Sequence, residues 1–77
     1  MSAQIIFLRV KAYLACFDYR VAQIPDAATR AAGIEAEIVF FHQWRKKPTI
    51  PASELDEIIR ELSKRLVEAR DQAKAAA

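Results

Sequence analysis

The chain is poor in the residues that staple and punctuate small folds. Its 77 residues include one cysteine, one histidine, one glycine and three prolines. A lone Cys16 cannot close an intrachain disulfide, so no disulfide framework is expected, and this usage fits a reducing compartment. One His and one Cys make no metal-ligand set, and no cofactor is expected. Long apolar runs are also lacking. Residues 5–8 are apolar, but Arg9, Lys11, Asp18 and Arg20 break up the next dozen positions, which argues against a membrane span. The N-terminus has neither the basic residues nor the continuous apolar run of a secretory signal, so a cytoplasmic location is the expectation. A dominant charge is missing too, since the formal net charge of +2 is too small to announce a nucleic-acid binder. The charges are nevertheless uneven. Residues 1–48 hold seven basic against four acidic side chains, with the excess gathered at Arg45-Lys46-Lys47. On charge alone that cluster reads as a solvated turn.

What the chain does have is a clear C-terminal helix. Pro51 precedes it, Ser53 fits an N-cap, and Asp56 lies three residues on, as in a capping box. Glu54, Asp56 and Glu57 lie at the positive end of the helix dipole, and Arg70 and Lys74 near the negative end. Leu55, Ile58, Ile59, Leu62, Leu66, Ala69 and Ala73 keep the helical period. The helix is expected over about 53–74, with an apolar stripe that must cover something. A single domain over 1–77 is all that this length allows, and a chain so short buries little surface without a staple or a partner.

The remaining segments are read through two competing periods. In residues 34–44, Ile34, Ala36, Ile38, Phe40 and Trp44 alternate with Glu35, Glu37 and Gln43, which suits a strand. A helix there would scatter Glu35, Glu37, His42 and Gln43 around its cylinder. Residues 5–11 alternate Ile6, Leu8 and Val10 with Arg9 and Lys11, and residues 16–24 alternate Phe17, Tyr19 and Val21 with Asp18 and Arg20. Both read as strands. Residues 4–24 also contain no glycine or proline and suit one long helix, with Ile6, Val10, Tyr13, Phe17, Val21 and Ile24 as its stripe. Composition alone does not decide between them. Residues 25–33 form a connection, with room for a helical turn before Gly33.

One stretch carries a resemblance. Phe41-His42-Gln43-Trp44-Arg45-Lys46-Lys47, then Pro51, then Glu54-Leu55-Asp56-Glu57-Ile58, resembles the RelE/ParE-like toxin superfamily, above all its HigB-type branch. In that branch a strand ends in Leu-His-x-Phe-x-Lys-Lys before a proline and the final helix. Phe7-Leu8-Arg9-Val10 and Tyr19-Arg20-Val21 are similar to two further strands of the family, in the family's order, and the N-terminal strand and helical pair that usually precede them are not seen. The resemblance implies an α+β fold, with a three-stranded antiparallel sheet (about 5–11, 16–24 and 34–44) covered by the C-terminal helix. It also implies a toxin of a toxin–antitoxin system, a ribosome-dependent, metal-independent mRNA endoribonuclease or translation inhibitor with RNA or the ribosome as target and an antitoxin-like protein as partner.

That chemistry drives a 2′-hydroxyl against the adjacent phosphate and needs proton exchange and cations for the developing charge. The resemblance assigns catalytic roles to Arg20, His42, Lys46 and Lys47, and RNA contacts to Arg9 and Arg45. Arg20 suits phosphate clamping, because guanidinium stays charged and forked, and His42 titrates near neutrality. The bland readings are a core histidine at 42, surface ion pairs at Arg9 and Arg20, solvated lysines, and packing roles for Tyr19, Phe41 and Trp44. The other class of function is a non-catalytic protein-binding module that homodimerises or binds a protein partner. An all-helical homodimer is the third reading.

Overall fold

A computed structural model describes the backbone of residues 3–44 and 51–76, and the side chains of 9–43 and 51–76. Three α-helices account for nearly all of the described residues, α1 (Ala3–Ala22), α2 (Ala27–Trp44) and α3 (Ala52–Ala76). No strand occurs among the described residues. The expected α+β fold with a three-stranded sheet is therefore overturned. Residues 5–11 and 16–24 fall within or just beyond α1, 34–44 lies in α2, and the expected connection at 25–33 is helical from Ala27 on, with Gly33 inside α2 rather than ending it.

The physical reason is visible residue by residue. With no glycine or proline over 4–24, nothing interrupts helical propagation, and apolar residues that alternate also recur at helical spacing. Val10, Leu14 and Phe17 are buried, with Tyr13 and Val21 packed at their edge. In α2 the charges that looked scattered mark the two flanks of the buried side. Glu37 accepts a hydrogen bond from the Tyr13 hydroxyl of α1 at 2.9 Å, and Glu35 faces Arg70 of α3 at 3.4 Å. Between them Ala31, Ile34 and Phe41 are buried.

The helix ends have specific causes. Asp26 caps α2, since its carboxylate accepts from the Thr29 amide at 2.9 Å and the Thr29 hydroxyl at 2.8 Å. Arg30 reaches back to the Ile24 carbonyl at 2.6 Å and fastens the short connection. In α3 the Pro51 carbonyl accepts from the amides of Glu54 and Leu55, at 3.0 and 3.1 Å. The helix thus starts before Ser53, which lies inside its first turn and is not the cap expected from the sequence.

The helices run up, down and up. Arg9 meets Glu54 and Asp18 meets Arg65, so α1 lies parallel to α3, while the short turn at 23–26 sends α2 the other way. The bundle measures 44 × 24 × 16 Å. Its core centres on Leu55 and Leu62 of α3, both sealed from solvent, against Val10, Leu14, Phe17, Ile34 and Phe41. Asp18 and Arg65 form a two-pronged pair, 2.6 and 3.0 Å, which fixes the height of α1 on α3. No helix among the described residues is long and apolar enough to cross a membrane.

Candidate functional site

Of the site residues expected from the sequence, the three that are described, Arg9, Arg20 and His42, do not gather. Arg9 and Arg20 sit on α1 eleven residues apart, about 16 Å along the axis at ~1.5 Å per residue, too far to share one phosphate. Arg9 approaches Glu54, Nε to Oε1 at 3.4 Å. Arg20 lies in the last turn of α1 and lays its guanidinium 5.6 Å from the centre of the Phe17 ring, a cation–π contact. His42 lies in the last turn of α2, exposed, at the opposite end of the bundle from Arg20. The core-histidine alternative is thereby corrected as well. Tyr19, read as a core residue, is 71 % exposed, whereas Phe41 packs as expected. Arg45, Lys46 and Lys47 lie outside the described residues.

Two features emerge that sequence reasoning missed. The first is a cleft of about 370 Å³ where all three helices meet, lined by Arg9 and Tyr13 of α1, Glu37, Phe40 and Phe41 of α2, and Glu54 and Ile58 of α3. Tyr13 packs edge-on against Phe41, ring centres 5.3 Å apart. Burial, then the Glu37 carboxylate beside it, holds the Tyr13 phenol well above its ordinary titration range, so it stays a donor. Glu54 is buried to 3 % exposure at the first turn of α3, where the helix dipole favours its charge. Its Oε2 is buried with no hydrogen-bond partner. An unpaired buried acceptor of this kind costs about 1–3 kcal/mol and calls for an explanation.

The second feature is the outward side of α2. Ala28, Thr29, Ala32, Ala36, Val39, Phe40 and Gln43 share that side at helical spacing, and all seven are exposed. None is charged. Val39 and Phe40 are 50 % and 43 % exposed. The apolar residues of α2 are spread widely around the helix, and the alternation of Ile34, Ala36, Ile38, Phe40 and Trp44 with Glu35, Glu37 and Gln43 is what let residues 34–44 pass for a strand.

No family model, no curated protein and no solved structure matches this chain. Geometry and chemistry alone therefore carry the functional reading.

Proposed function

We propose that this chain is a non-catalytic protein-binding module of the cytoplasm that pairs with a second copy of itself through the outward side of α2. The observation that carries this reading is that side's seven exposed residues without a charge. Water-facing helices ordinarily carry charges outward, and a contiguous uncharged face marks an interaction surface. A second copy suits it because the face is complementary to itself. Ala28 and Ala32 make one end small, while Val39 and Phe40 make the other end large. Antiparallel pairing about a two-fold axis sets large against small and lets two helices approach closely; parallel pairing would set Phe40 against its own copy and leave the alanines facing a gap. Free, exposed Cys16 accords with a reducing compartment.

The RNA-directed reading rests on a resemblance that implied strands where the chain is helical. It enters the test as an outcome. Sedimentation of the wild type should give a dimer, and Ala32→Glu should weaken association at least about a hundredfold by burying a charge in the interface. Pairing direction is read by cross-linking in a Cys16→Ser background. A mixture of Ala32→Cys and Ala36→Cys proteins should cross-link, whereas Ala28→Cys should not cross-link to itself. A wild type that stays monomeric at high concentration and cleaves message on the ribosome would replace this reading with the RNA-directed one.

A further inference from the structure

Among the described residues, the cleft between the three helices is lined by two carboxylates, Glu37 and Glu54, and one guanidinium, Arg9. Their contacts leave capacity over. Glu37 spends Oε1 on the Tyr13 hydroxyl. Glu54 meets Arg9 at 3.4 Å through Oε1, longer than the roughly 2.7–2.9 Å of a strong charge-assisted bond, and its buried Oε2 has no hydrogen-bond partner. The walls are aromatic, with Phe40 part-exposed and its ring nearly perpendicular to that of Phe41 (77°). Carboxylates at the back and an aromatic face at the side are the arrangement that recognises an organic cation: the charge pairs with the acid while the flat group or its methylenes lie on the ring.

We infer that this cleft binds an alkylguanidinium group, with Glu54 and Glu37 as its acceptors and Phe40 as its stacking wall. Guanidinium fits better than a metal ion or an ammonium. Its planar fork can satisfy Oε2 of Glu54 and reach a second acceptor, and it tolerates the partly desolvated wall better than the compact, strongly hydrated ammonium. The cleft's volume is at the small end of ligand sites, matching one short alkyl chain with its cationic head. Oε2 lies covered, so entry calls for a side-chain rearrangement at the cleft. Phe40 belongs both to this cleft and to the outward side of α2, so the titration is run on the Ala32→Glu protein as well as on the wild type.

The test is a ¹H–¹⁵N NMR titration of the whole chain with ethylguanidinium, with ethylurea as its neutral counterpart at matched ionic strength. Ethylguanidinium should shift the amides of Glu37, Phe40 and Glu54 saturably in the millimolar range, and ethylurea should not. Glu54→Gln keeps the shape, removes the charge, and should weaken binding about tenfold; Glu57→Gln, away from the cleft on α3, should leave it unchanged. Should Glu54→Gln fail to fold, Glu37→Gln provides the same comparison. A parallel titration with Nα-acetyl-arginine methylamide separates the two sources of the group. Binding of both assigns the cleft to an arginine side chain of a partner protein, and binding of ethylguanidinium alone to a small guanidinium compound. Shifts that fail to saturate, equal response to ethylurea, or unchanged affinity in both carboxamide variants would overturn the site.

Discussion

The outward sides of α2 and α3 are both exposed, yet they are built from opposite materials. On α3, Asp56, Arg60, Lys64, Glu68, Asp71 and Lys74 face water, several of them tied along the helix, as in Arg60 with Glu57 and Lys64 with Glu61. Val67 is a lone apolar residue among them, and single exposed apolar residues are ordinary. On α2 the outward side holds three alanines, Thr29, Val39, Phe40 and Gln43, and no charge. The two helices share one core and one solvent, so folding of the monomer does not explain the difference. It is explained if α3 faces water in the working protein and α2 faces another chain. On the proposed reading, the outer face of each helix answers to what it meets after folding, water for α3 and another chain for α2.

The largest expected effect breaks the bundle rather than the interface. Leu62 is sealed from solvent at the centre of α3, and Leu62→Ala should cost about 2–5 kcal/mol and unfold much of the population, read by thermal or urea denaturation. If that change proves mild, α3 does not anchor the core and the contrast between the helices loses its basis.

Next comes the contrast itself. Ala32→Glu on α2 should dissociate the dimer while leaving the circular-dichroism spectrum helical, because glutamate is a good helix former at an exposed site. Val67→Glu on the charged side of α3 should leave association and stability within about 0.5 kcal/mol of wild type. Equal sensitivity of the two positions would mean that both helices are interfacial.

A smaller effect tests the seam between α1 and α2. Tyr13→Phe removes the hydrogen bond to Glu37 and should cost about 1 kcal/mol. The phenol's titration is raised in the folded chain, chiefly by burial, so its stabilising contribution is complete below the unfolded value near 10 and is lost as pH rises beyond that. Alkaline unfolding curves should therefore fall more steeply for wild type than for Tyr13→Phe above about pH 10. Parallel curves would place the cost of the substitution in packing alone.

How much of this was legible depends on the helix. The α3 stripe of Leu55, Ile58, Ile59, Leu62 and Ala69 stood out because charges fill the opposite side, and the helix expected over about 53–74 is found over Ala52–Ala76. In α1 and α2 the period was hidden. Tyr19 and the alanines of α1, and Val39 and Phe40 of α2, put apolar residues outside as well as inside, so strict alternation and the 3.6-residue period fitted equally well. The short strings behind the toxin resemblance then tipped the reading toward strands. A long segment free of glycine and proline was the better guide.

The candidate cleft was illegible for a different reason. Tyr13, Glu37 and Glu54 come from three separate helices, and no spacing in the chain announces that they will meet. By itself the sequence determined local matters: where helices can start, as at Asp26 and Pro51, where nothing stops them, as over 4–24, and which face of α3 seeks a core. Those outcomes come from backbone hydrogen bonding and side-chain period, which act within a few residues. Only the tertiary structure decided which acids became seams, which apolar faces stayed in water, and that the Glu54 carboxylate would be buried with one oxygen unanswered. Those outcomes depend on the angle and height at which helices pack, set here by Leu62, the Asp18–Arg65 pair and the short turn at 23–26 acting over distances that the chain's order does not encode.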